Sequence, residues 1–134
     1  MERLRGLDPV PMVRPHARHL VSDVPGCLGL LRSEPRFRLA FEPALLFEPV
    51  MFAAAEDHLE RMFGALALAA EVVVISDVQM AEQDGDAWCV PVAFGSGLLP
   101  REVVVRLTRK AAAEGARLFA RSQAEAEALR AILS

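Results

Sequence analysis

EVVVISDVQMAEQDGDAWCVPVAFGSG, residues 71–97, is the stretch on which the fold turns. Val72-Val73-Val74-Ile75 is a β-branched run of the kind found in a strand buried on both faces. The run becomes polar at Ser76, Asp77 and Gln79, and Gln83-Asp84-Gly85-Asp86 follows as a turn, with Asp-Gly suited to the positive φ of a tight hairpin. The predicted return strand, Ala87–Phe94, sets Trp88, Val90, Val92 and Phe94 on one face and Ala87, Cys89, Pro91 and Ala93 on the other. Pro91 lacks a ladder donor, so this strand belongs at an edge or a bulge.

Upstream, Arg36–Glu42 alternates. Phe37, Leu39 and Phe41 point one way and Arg36, Arg38 and Glu42 the other, as in a half-buried strand. Ala44–Phe47 fits a further strand piece or a turn. Val50–Ala69 carries the clearest helical spacing, through Phe52, Ala55, Leu59, Met62, Phe63, Leu66 and Ala69. Before these, residues 17–32 hold an interrupted helix with a start signal at Asp23-Val24-Pro25. Residues 1–15, with Pro9, Pro11 and Pro15, are expected to be an irregular arm on a single domain of residues 16–134.

Downstream, Pro100–Glu114 is predicted helical with Gly115 as its stop. A short strand spans Arg117–Arg121, and Ser122-Gln123-Ala124-Glu125 is a capping box opening a last helix. The order strand–helix–strand–strand–helix–strand, with an extra helix at each end, predicts an α+β sandwich of ferredoxin-like type. Pro91 fits badly in the central third strand of that topology, so a mixed-sheet α/β arrangement is the alternative.

Composition bounds the function. The 134 residues are 53% hydrophobic with a net charge of −3, which excludes a disordered chain and a strongly basic nucleic-acid binder. That charge divides into +3 over residues 1–41, −9 over 42–86 and +3 over 87–134. Surfaces of opposite sign are therefore expected. No secretory signal or membrane-spanning run is visible, so a cytoplasmic protein is expected, with no membrane partner and with Cys27 and Cys89 reduced. A mean hydropathy of +0.27 is high for a small soluble monomer and leads to the expectation of a homo-oligomer.

Four places are candidates for chemistry. Gly95-Ser96-Gly97-Leu98-Leu99-Pro100 joins a strand to a helix, and its backbone N–H groups, with Arg101 in the first turn, suit an anion. It departs from the dinucleotide fingerprint, since Pro100 stands where the third glycine would be. Asp77, with Glu82, Asp84 and Asp86 around the hairpin, suits a divalent cation or acid–base work, and Asp77 sits at a strand end where sites often lie. His16 and His19 are spaced for one helix face, but no third zinc ligand is implied. Arg106, Arg109 and Lys110 form a basic helix face. The sequence does not identify a cofactor.

These observations predict a non-catalytic binding or regulatory module that takes a protein partner or an anionic small ligand. Gly95, Ser96, Gly97, Arg101 and Asp77 are its candidate ligand contacts. The alternative is a small enzyme whose carboxylates around Asp77 bind a divalent metal or act as acid and base.

Overall fold

The computed structural model describes residues 11–134. Among these residues the fold is mixed α/β, with five helices, a four-stranded parallel sheet and a separate antiparallel hairpin. The strands are β1 (Met12–Val13), β2 (Arg38–Phe41), β3 (Val72–Val74), β4 (Asp77–Gln83), β5 (Asp86–Val92) and β6 (Leu118–Phe119). The helices are α1 (Val24–Ser33), α2 (Pro43–Leu46), α3 (Ala55–Leu66), α4 (Arg101–Ala113) and α5 (Gln123–Leu133), with a 3₁₀ turn at Pro49–Ala54.

Several elements follow their local chemistry. The Asp23 side chain caps α1 by accepting from the Gly26 N–H at 2.7 Å, with Pro25 tolerated in the first turn. Ser122 caps α5 by accepting from the Glu125 N–H at 3.2 Å. Asp84 and Gly85 take φ of 53° and 79°, as a two-residue hairpin turn demands. Other elements differ from expectation. The helix expected over Val50–Ala69 is split into a 3₁₀ segment, Pro49–Ala54, and an α-helix that ends at Leu66. Pro43–Leu46 is a single helical turn, nearer the turn than the strand piece of the two expectations. Of residues 1–15, expected to be irregular, 1–10 lie outside the described residues and Met12–Val13 is the edge strand β1.

The principal difference lies between Val74 and Asp77. The continuous strand expected there is two, because the chain leaves the parallel sheet at Ile75-Ser76 and starts the hairpin at Asp77. The arrangement is therefore not clearly ferredoxin-like. The hairpin is not part of the main sheet, and every pairing within that sheet is parallel. The mixed α/β alternative is nearer. Pro91 sits opposite Val78 in a two-stranded ribbon, where its missing donor faces no second neighbour.

The sheet order β1-β2-β3-β6 runs in one direction without reversal. Crossovers between parallel strands share one hand, so a non-reversing order puts every crossover helix on the same face. On that face Leu39, Phe41, Val73 and Ile75 are buried in the core with Cys27, Leu59, Phe63, Leu66 and Leu107. Phe63 of α3 meets Phe41 edge-on, with ring centroids 5.6 Å apart. The register places Met12, Arg38, Ala40, Val72, Val74, Arg117 and Phe119 on the opposite face. An open groove of about 700 Å³ lies over it, lined by strand and strand-end residues alone among those described. Met12 and Phe119 keep 44% and 47% of their surface exposed there, although parallel sheets are ordinarily covered on both sides.

Candidate functional site

Asp77 and the glycine loop come together in the structure, and closely. The Asp77 side chain is 2% exposed and accepts four backbone N–H donors. Oδ1 takes Val78 N at 2.8 Å and Leu99 N at 3.0 Å, while Oδ2 takes Gly95 N at 3.1 Å and Gly97 N at 3.0 Å. Residues 95–99 thus form the backbone nest that their sequence suggests, and the anion in it is the chain's own carboxylate. Gly97 is required here for space. A Cβ at that position would collide with Asp77 Oδ1 and the Val78 carbonyl. Gly95, at φ 86°, is required for conformation.

The other residues of this candidate site lie around the clasp. Arg101 turns back over the loop, its guanidinium 5.9 Å from the Phe94 ring centroid. The Ser96 carbonyl accepts from Gln79 Nε2 at 3.0 Å. Of the hairpin acids, Asp86 pairs with Arg18 at 3.2 Å, and Glu82 and Asp84 are exposed. Among the described residues no three His, Cys, Asp or Glu side chains converge as a metal-binding group. His16 stacks on His19 with centroids 4.6 Å apart. Burial is the main cause holding the His16 pKa below its ordinary value. The neighbouring His19, Arg18 and Arg14 act in the same direction, against Glu42.

A second polar cluster is one that sequence reasoning missed. Glu42 follows β2 directly, and its side chain is completely buried. It accepts from Ser76 Oγ at 2.7 Å, pairs with Arg14, and has Arg121 Nε at 3.8 Å. Arg14, Glu42, Ser76 and Arg121 all lie just beyond the C-terminal ends of the parallel strands, the end at which open α/β sheets place their ligands. Arg121 also donates to the Pro91 carbonyl at 3.1 Å, tying the hairpin to the sheet.

The N-terminal end of the same face repeats this pattern. Glu71 accepts from Arg38 and from Arg117, each at 2.8 Å. The open face therefore carries an arginine–carboxylate–arginine triad at each end, with Met12, Ala40, Val72, Val74 and Phe119 between them. Each triad sets two guanidinium groups against one carboxylate, an excess of one positive charge at either end. The Glu71 triad is exposed, at 63% for each arginine side chain, whereas Glu42 has no contact with solvent. Alternating polar residues at both ends of β2 and β6 were visible in the sequence, but pairing them needed the strand register.

The two cysteines are free and buried. Burial, with Asp23 nearby, pushes the Cys27 thiol from 9.0 up to about 11. Since this folded-state value is raised, the unfolded chain loses its proton first, and stability falls as pH rises from about 9 toward 11. Ellman's reagent at pH 8 is expected to leave native Cys27 unmodified and to react with it fully in denaturant. Rapid native labelling of Cys27 would contradict its burial.

No described helix is long and apolar enough to cross a membrane. Compared with known protein families, curated proteins and solved structures, the chain matches none.

Proposed function

We propose that this chain is a small non-catalytic binding module, that its recognition surface is the open face of the parallel sheet, and that what it binds is anionic. The observation that carries the reading is the pair of arginine–carboxylate–arginine triads, each with an excess positive charge, framing an apolar strip. Guanidinium groups match carboxylate geometry through paired donors. In this reading Asp77, Gly95 and Gly97 build the scaffold, because their polar groups are already matched to one another. Arg101 and Ser96 remain a secondary anion contact beside that loop. The enzyme alternative has less support, since the Asp77 oxygens are engaged by backbone donors and Glu42 is sealed behind Ser76 and two arginines.

A cytoplasmic setting and self-association belong to the same proposal. The surface for self-association is the groove between α3 and α4, where Leu68 is 59% exposed.

The test is a titration of the ¹⁵N-labelled protein with citrate, followed by amide chemical shifts. Shifts are expected to cluster at Arg38, Val72, Val74, Arg117 and Phe119, and to weaken several-fold in the Arg38→Gln/Arg117→Gln variant. Shifts confined to residues 95–101, or their absence at millimolar citrate and low salt, would overturn the reading.

A further inference from the structure

What covers the open face follows from its anion-binding character, on which the partner proposed below rests. Val72-Val73-Val74-Ile75 has the composition of a strand packed on both sides, yet Val72 and Val74 are only half-buried beneath an open groove. The usual cover for a parallel sheet is a helix. The two triads fix the charge of such a helix and the spacing of its charges. From Arg38 to Glu42 along β2, and from Arg117 to Arg121 along β6, there are four residues, about 13 Å at the rise of a strand. A helix rises about 1.5 Å per residue, so side chains roughly eight residues apart span that distance on one helix face.

We infer that the open face is the docking site for an amphipathic helix of a protein partner, with an apolar stripe flanked by carboxylates about eight residues apart. The apolar stripe seats between Met12 and Phe119, and each carboxylate meets the excess positive charge of one triad, at the exposed end by exchanging with Glu71 for Arg38 and Arg117. Charge argues against a second copy in this place. Face-to-face packing would bring together triads that all carry an excess positive charge, in an interface that excludes water.

The experiment uses fluorescein-labelled 18-residue peptides read by fluorescence anisotropy. One carries leucines in a helical stripe with glutamates eight residues apart, and the other replaces each glutamate by lysine. The glutamate peptide is expected to bind at least tenfold more tightly. Its affinity is expected to fall several-fold between 50 and 300 mM salt, and at least fivefold in the Arg38→Gln/Arg117→Gln variant. Phe119→Ser, which removes an exposed side chain, is expected to weaken it similarly while circular dichroism stays native. Equal affinity for the two peptides overturns the inference. Citrate binding without peptide binding overturns the helix partner and leaves the anion-binding reading standing, whereas failure of both removes both. A dimer in sedimentation that Phe119→Glu dissociates would identify a second copy as the occupant and would also overturn it.

Discussion

Replacing Asp77 by alanine is expected to destabilise the fold by roughly 3–5 kcal/mol, a large part of the 5–15 kcal/mol that a domain of this size holds. Four backbone N–H groups lose a charged acceptor together. A buried donor left unpaired costs about 1–3 kcal/mol, and partial hydration of the loop lowers the sum. The consequence reaches beyond the loop, because residues 95–99 join the hairpin to α4, and Leu98 N–H also donates to the Val78 carbonyl at 2.8 Å. Urea denaturation should show the midpoint moving well below wild type.

Asp77→Asn should be nearly as damaging as alanine. One of its two terminal groups becomes an NH₂ that meets two N–H donors, whichever way the amide is turned. Gly97→Ala reaches the same clasp from the other side. The added methyl has no room against Asp77 and the Val78 carbonyl, so a loss of about 3 kcal/mol or more is expected. Acetate or formate at tens of millimolar should partly restore the Asp77→Ala variant while leaving wild type unchanged, because a small carboxylate can enter the vacated nest. A cost below about 1 kcal/mol for Asp77→Ala would mean that the four hydrogen bonds contribute little, contrary to the expectation from buried charge-assisted bonds.

The clasp also shows what was legible in the sequence. Gly95-Ser96-Gly97 reads correctly as a segment that presents N–H groups to an anion, and Asp77 reads as a carboxylate at a strand end. Only the tertiary structure reveals that each satisfies the other. Caps and turns were equally legible, because Asp23, Ser122 and Asp84-Gly85 act within a few residues of themselves. The sheet was harder. Its strands are two to four residues long, too short for alternation to define their ends. The break at Ile75-Ser76 leaves no periodic mark, since a chain that changes sheets keeps the pattern of a single strand. Alternation puts Glu42 on the same side of its strand as Arg38, and the register agrees. Its complete burial depends on Arg14 and Arg121, 28 residues before it and 79 after it, and no local pattern connects them.

The two triads, alike in composition, should respond very differently to the same substitutions. At the buried triad, removing both arginines as Arg14→Met/Arg121→Met leaves the Glu42 carboxylate out of water with only the Ser76 hydroxyl as partner. Stranding a buried charge costs about 3–5 kcal/mol. The reverse change, Glu42→Leu, should cost less, about 1–2 kcal/mol, because Arg14 and Arg121 are 48% and 37% exposed and can turn to solvent, leaving chiefly the Ser76 hydroxyl unpaired. The triple variant should recover most of the loss of the double, a coupling that urea denaturation of the four proteins would measure. If the arginine double variant costs no more than Glu42→Leu, burial is not what gives this triad its strength. At Glu71 the corresponding substitutions should each stay within about 1 kcal/mol, since the ion pairs are exposed and screened by salt. This difference has a functional meaning. Glu42 holds the strand ends in place at one end of the groove. At the other end, Arg38 and Arg117 lose little by exchanging Glu71 for a carboxylate brought by a ligand, so that end is where recognition can be altered without unfolding the domain.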